Sequence, residues 1–369
     1  MPTADVTERR FAKMRPTPAA GGRRVDPADL PRGPRLPALV QSIGLLRFRH
    51  RFVPALHRRY GDVFSIRLMP EDRRLVVFNR PEHVKEIFPK ATNVDVRLAD
   101  MDEMGIDVQA ISVAPPGYFY WTDPELAREL SRMQNENLAK IVADHPDRFV
   151  ALATVPLQDV RSAVEELERT VRDHNFRGVE INTNVMGLDL DDQRFRPFFA
   201  KAEELDVLVL LHPNGFTGGE RLRKYYLTNV VGNPLDTTLA LTRIIHGGVL
   251  EEHPDLKLVA VHGGGYLPFY SSRMDHAYDL RPEGRHHISR PPSTYLKQVY
   301  VDCLVFDSPH LEFLVQQMGA DHVVVGTDYP FDMGHYDPLA QIDGVTSLSD
   351  VDREAIRGGT AARLLKLDD

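Results

Sequence analysis

Three short apolar runs each end on a side chain that can ligate a metal or move a proton: LVLLHP at His212, LVAVHGGG at His262 and HVVVGTDYPF at Asp328. Runs rich in Val and Leu and bounded by turn residues read as strands covered on both faces, as in a parallel α/β sheet. In such sheets the catalytic groups gather where the strands end, among the loops that follow. Imidazole and carboxylate are donor types that suit zinc or a similar divalent ion. Taken singly, each residue has a plainer reading: His212 as a buried histidine bonded to backbone, Asp328 as a turn or helix-capping aspartate. His262 is followed by three glycines, which permit close approach of backbone to a ligand. The same His-Gly-Gly-Gly occurs as an esterase oxyanion loop, but the Gly-x-Ser-x-Gly elbow which that chemistry needs is absent from the sequence.

The elements that must position these residues alternate regularly after residue 92. A helix at LADMDEMG precedes the strand VQAISVA, and a long helix opened by Thr122, Asp123 and Pro124 precedes FVALATVP. VEELERTVRDH precedes GVEIN, FRPFFAKAEEL precedes VLVLLHP, and LDTTLALTRIIHGGVLEE precedes LKLVAVHGGG. A Pro-rich loop at Pro291 and Pro292 leads to QVYVDCLVF, and the helix PHLEFLVQQMG leads to HVVVGTDYPF. Alternating helices and apolar strands predict a parallel sheet joined by right-handed crossovers. Seven strands are countable where a (β/α)8 barrel wants eight, and the lacking one is the first.

Composition narrows the partners. With 42% apolar and 27% charged residues the chain is ordinary globular material, and a net charge of -8 argues against nucleic acid. A small molecule is the expected partner. The single cysteine, Cys303, suits a reducing cytoplasm. No apolar stretch approaches the roughly 18 to 20 residues of a membrane span, so a cytoplasmic chain without membrane association is expected. Three regions are expected: a basic, disordered tail over 1–29, a helix/hairpin segment over 30–92, and a barrel over 93–369. Residues 1–60 hold thirteen Lys or Arg against four Asp or Glu.

In the middle region, DVFSIRLM and RLVVFNR read as two strands around a turn at Pro70, Glu71 and Asp72, followed by a helix from Pro81 through Phe88. PRGPRLPALVQSIGLL, RRYGDVFSIRL and RLVVFNRPEHVKEIF resemble the N-terminal part of haem-thiolate (cytochrome P-450) monooxygenases. That likeness spans about residues 30–90. The family's haem-ligating cysteine motif is missing, so no haem is expected.

Residues 93–367, about three quarters of the chain, resemble the metal-dependent decarboxylase branch of the amidohydrolase superfamily. VRLADMDEMGIDVQAISVAPP, YFYW, RFVALATVPLQD, GVEINTNV, HPNG, HGGGYLPFYSSRMDHAYDLRP and GTDYPF carry the likeness, in order and spacing. The resemblance implies an α/β fold of the TIM-barrel type, with the first strand replaced by the helix/hairpin segment. It implies that His212 and Asp328 hold a divalent metal, Zn2+ or else Mn2+, and that His262, with Asp328 beside it, does the acid/base work. Arg273 and Arg281 would reach into a neighbouring subunit's site to hold a substrate carboxylate, so a homodimer or higher homo-oligomer is implied. Phe331 would line the pocket. The reaction implied is non-oxidative decarboxylation of a small muconate-type or aromatic acid.

One departure bears on all of this. The family's first strand carries a His-x-His or acidic-x-His pair, and residues at i and i+2 on a strand share a face. No such pair occurs in the N-terminal region, where His50, His57 and His83 stand at other spacings. A catalytic zinc normally keeps at least three protein ligands. Two further readings therefore stay open: a metal-dependent hydrolase of the same superfamily, and a fused, non-catalytic relative.

Overall fold

The computed structural model describes residues 90–216, 219–222 and 224–367, together with Gln41, Leu56, Arg59 and the strand pair at 63–68 and 73–78. The chain divides into two compact units, Met1–Pro89 and Lys90–Asp369. In the first, β1 (Val63–Leu68) and β2 (Arg73–Phe78) pair antiparallel, Val63 opposite Phe78, as the hairpin reading expects. The tail expected over 1–29 and the helix expected from Pro81 through Phe88 lie outside the described residues.

The second unit opens with α1 (Val94–Met104), β3 (Gln109–Ile111), α2 (Pro124–Asp144), β4 (Phe149–Ala153), α3 (Val160–His174) and β5 (Gly178–Ile181). A small antiparallel ribbon follows, β6 (Asn184–Val185) and β7 (Leu188–Asp189). Then come α4 (Arg196–Glu204), β8 (Leu208–Leu211), α5 (Asn233–His246), β9 (Lys257–Ala260), α6 (Leu267–Leu280), β10 (Tyr300–Asp302), α7 (Ser308–Met318) and β11 (Val323–Val324). Near the chain end lies α8 (Thr360–Leu365). The helices start where the sequence offers caps: Asn93 accepts the Asp95 N–H, and Asp123, before Pro124, accepts the Leu126 N–H.

Among the described residues seven strands form one sheet in the order β11-β10-β9-β8-β5-β4-β3, and every pairing within it is parallel. All seven are those legible as apolar runs, although several are shorter than their runs. Two segments differ. The stretch at Pro291 and Pro292, read as a loop, enters a short helix, Pro292–Leu296, because proline is tolerated in a first turn. The segment NTNVMGLDL, without an evident strand pattern, makes the β6–β7 ribbon around a tight turn with Met186 and Gly187 at positive φ.

Strand alternation sorts the core into two layers. Ala151, Val179, Val209, Leu211, Leu258 and Val301 pack against the helices, where Phe198 and Phe199 of α4 are fully buried. Each such ring is worth roughly 1.5–3 kcal/mol on burial. Leu152, Leu208, Val259 and Val324 face the other way and meet Leu364 and Leu365 of α8 in a separate cluster. Continuing that second register along the strands leads past Leu210 to His212 and past Tyr300 to Asp302. Glu180, paired with Leu210, shares it.

Candidate active site and metal centre

His212 directly follows β8, and its N–H donates to Ile181 O of β5 at 2.9 Å, so the ladder continues up to the imidazole. Its Nδ1 lies 2.8 Å from Pro213 O. A carbonyl only accepts, so Nδ1 carries hydrogen and the neutral ring presents a lone pair on Nε2. His262 stands just past β9 with φ 60° and ψ 45°, in a turn whose next residue, Gly263, is also left-handed. Asp328 stands beyond β11 with φ 52°.

These three side chains converge. His212 Nε2 lies 3.4 Å from Asp328 Oδ1 and His262 Nε2 lies 3.3 Å from Asp328 Oδ2. The two imidazole centroids are 5.2 Å apart. One donor atom from each of the three falls within 4.8 Å of the others, the arrangement of groups around a common cation. All three are half-buried, so the cluster faces an opening rather than the core.

Two further carboxyl groups surround it. Glu180, 3% exposed, accepts hydrogen bonds from the Ser112 hydroxyl and the Tyr118 phenol. Burial pushes its carboxyl above the usual range, against the opposing pull of His212. Asp302, 5% exposed, is likewise raised by burial, opposed by His262 and by the Gly263 N–H. Burial also works to raise Asp328, but hydrogen bonds from the His212 and His262 imidazoles, donated from His212 Nε2 when that ring is protonated, reverse it and hold that carboxyl far below the ordinary range. For His212 burial works downward, and Asp328 and Glu180 outweigh it, leaving the imidazole raised. Three carboxyl groups gather around two imidazoles, and imidazole nitrogen with carboxylate oxygen is the donor chemistry of zinc and manganese. The residues present fit a divalent cation.

The loop carrying Asp328 is tied down by side chains. The Tyr329 hydroxyl donates to Asp100 Oδ2 at 2.7 Å, and Lys90 pairs with the same carboxylate at 2.9 Å. The Arg97 guanidinium lies 4.7 Å from the Tyr329 ring centroid, and its Nη1 donates to Gln109 Oε1 at 2.7 Å. Burial lowers the Arg97 pKa, as expected for a cation held largely out of water.

Of the residues singled out from sequence, His212, His262 and Asp328 are brought together. Phe331 sits in the turn after Asp328, its N–H donating to Asp328 O at 2.9 Å, with its ring partly exposed. Arg273 and Arg281 are not brought in: both are exposed, and Arg281 pairs with Glu283 at 2.7 Å. Sequence reading missed Glu180, Asp302 and Arg97. A usable signal existed for the first two, since an acid inside an apolar run such as GVEIN or YVDCLV must find partners when buried. Cys303, next to Asp302, is fully buried, and burial pushes its thiol up to about 12.

The amidohydrolase family model matches residues 85–367. The chain belongs to that family. A curated relative, 2-amino-3-carboxymuconate-6-semialdehyde decarboxylase of Dictyostelium discoideum, is 35% identical over 286 residues, covering 77% of this chain and 79% of the relative. Among solved structures, 2,6-dihydroxybenzoate decarboxylase complexed with 2,6-dihydroxybenzoate has a TM-score of 0.69 at 31% identity, covering 74% of this chain and 88% of that one. A dihydroxybenzoic acid decarboxylase from Polaromonas, with bound manganese and the inhibitor 2-nitroresorcinol, has a TM-score of 0.70 at 27% identity, covering 79% and 91%. Close relatives and structural neighbours are thus decarboxylases of the amidohydrolase superfamily, and the fold is that superfamily's TIM-type α/β architecture. A 59-residue N-terminal segment is 63% identical to a putative cytochrome P450 of Mycobacterium tuberculosis, covering 16% of this chain and 13% of that protein. Among the described residues no helix is long and apolar enough to cross a membrane.

Proposed function

We propose that the chain is a metal-dependent, non-oxidative decarboxylase of a small aromatic or muconate-type acid, acting in the cytoplasm. The convergence of His212, His262 and Asp328 from three strand ends carries the reading. His212, whose hydrogen is committed to Pro213, and Asp328 would hold the cation, Zn2+ or Mn2+. When bound, it would supply Lewis-acid polarisation of a substrate oxygen and offset negative charge. His262 has no such anchor on Nδ1 and can exchange a proton through Nε2. It would deliver that proton to the carbon bearing the carboxylate. The carbon–carboxylate bond then breaks, its electron pair stays on the protonated carbon skeleton, and carbon dioxide leaves. The net change is one proton for one carbon dioxide, with no redox partner. Arg273 and Arg281, exposed on the single chain, suit bidentate capture of a carboxylate in a neighbouring copy's site. Phe331 would line the mouth of the site.

The absent first-strand pair supports a second reading, a fused chain that binds acids without turnover. One experiment separates the two. The full chain is loaded with Mn2+ or Zn2+, bound metal per chain is measured, and carbon dioxide release from 2,6-dihydroxybenzoate is followed with and without a chelator. Stoichiometric metal with chelator-sensitive release supports the decarboxylase; acid binding without release supports the second reading. Chelator-sensitive cleavage of a lactone or amide, with no carbon dioxide released from 2,6-dihydroxybenzoate, points to hydrolysis.

A further inference from the structure

His262 Nδ1 is buried and has no hydrogen-bond partner, whereas His212 is fixed through its Nδ1. Apart from the 3.3 Å contact of Nε2 with Asp328, the orientation of the His262 ring therefore comes through its backbone, which stands in the left-handed region at φ 60°. A non-glycine residue held there is strained and persists only when its surroundings impose it. Asp302 is placed to impose it. Its Oδ1 accepts the Gly263 N–H at 2.8 Å and the Leu304 N–H at 3.1 Å, gripping the turn immediately after His262. The grip is tightly backed: a Cβ at Gly326 would stand 2.7 Å from Asp302 Cβ, and one at Gly263 would stand 2.6 Å from Val305 Cγ1. Asp302 ends β10 at 5% exposure and takes no part in the chemistry proposed above.

We propose that Asp302 is the positioning residue for His262, fixing through the amide hydrogens of Gly263 and Leu304 the left-handed turn that aims His262 Nε2 at Asp328. Its kinetic consequence rests on the reading of His262 as the proton carrier; its structural consequence does not. An oxygen acceptor at this position is what the turn requires. Asp302→Asn keeps one, and Asp302→Ala removes it.

The test uses the full chain, metal-free, with isotopically labelled histidine and the ring Cε1–H resonance of His262 assigned by its loss in His262→Asn. Asp302→Ala is expected to shift or broaden that resonance while leaving those of His253 and His310 in place, and Asp302→Asn is expected to restore it. An unmoved His262 resonance in Asp302→Ala overturns the proposal, as does an equal disturbance in Asp302→Asn. If Asp302→Ala fails to fold, Asp302→Glu carries the test, because one added methylene displaces the acceptor and the same selective shift is expected; no shift overturns the proposal. Two further measurements exclude a merely structural role. Mn2+ alone should bind Asp302→Ala as it binds the wild type, while kcat on 2,6-dihydroxybenzoate falls about 10- to 100-fold with KM unchanged; parallel loss of Mn2+ affinity and kcat counts against positioning. A wild type that binds no Mn2+ sinks the decarboxylase reading alone, and the His262 resonance still decides for or against Asp302.

Discussion

The two flanks of the parallel sheet deliver their site residues by different means. On the inner flank β8 pairs over four residues with both β5 and β9, and His212 follows as the next rung of that ladder. On the outer flank β11 pairs over two residues with β10, no described strand covers its other side, and Asp328 stands beyond its end. There Asp100, Lys90 and the Arg97 guanidinium hold Tyr329, and Arg97 also reaches Gln109 of β3, the opposite terminal strand. A backbone ladder is indifferent to most side-chain changes, whereas a side-chain staple can be undone by one. Among the described residues no strand joins β3 to β11, and there placement of the carboxylate depends on a few named residues.

The largest expected effect comes from the outer flank itself. Asp328→Asn should lower metal affinity and turnover together by at least about 100-fold, read as metal per chain and carbon dioxide release. Retained metal would mean that the inner flank suffices to bind it. His262→Asn should lower kcat by about 100- to 1,000-fold while metal content stays at the wild-type level, the pattern of a lost proton carrier. Arg97→Ala should destabilise the chain by about 2 kcal/mol in urea unfolding, combining a desolvated cation–aromatic contact with a charged hydrogen bond. Arg97→Lys should not restore it, since lysine lacks the planar face. For contrast, Arg161→Ala, which breaks an exposed pair on α3, should leave the urea unfolding midpoint where it is in the wild type. Equal effects from Arg97 and Arg161 would erase the distinction between the flanks.

The smallest effect is a slope. Burial raises the Glu180 carboxyl above its ordinary 4.5, so as pH climbs past that value the unfolded chain releases a proton that the folded chain keeps. The stability associated with the protonated group is whole below about 4.5 and is lost as pH rises through the folded value. Glu180→Gln should flatten the fall of stability with rising pH, by no more than about 1.4 kcal/mol per pH unit, the limit for one proton. A variant with the wild-type slope would place the titration elsewhere.

How much of this was legible in the sequence depended on range. The seven strands were readable because Val- and Leu-rich runs punctuated by caps and turns are local signals, and His212, His262 and Asp328 were found because each closes such a run. Glu180 and Asp302 escaped because their importance lies in parity: only the registers that pair Glu180 with Leu210 and Tyr300 with Val259 put them on the same face as His212. Arg97 escaped for a different reason. On a helix with mixed polarity nothing marks it as buried, and its partners Gln109 and Tyr329 are 12 and 232 positions away in the chain. The β6–β7 ribbon escaped because two-residue strands carry no periodicity.

Cys303 gives the outer flank an unintended use. Its N–H donates to Val324 O at 2.9 Å, so this sole thiol sits in the ladder between β10 and β11, next to the residue that grips the His262 turn. Because thiols react as thiolates and burial pushes this one up to about 12, alkylating reagents should find it inert while the edge stays closed. Each labelling event would then mark a moment when the edge was open. The chain carries, at one defined point beside its proposed proton carrier, a stopwatch for the breathing of its least supported strand.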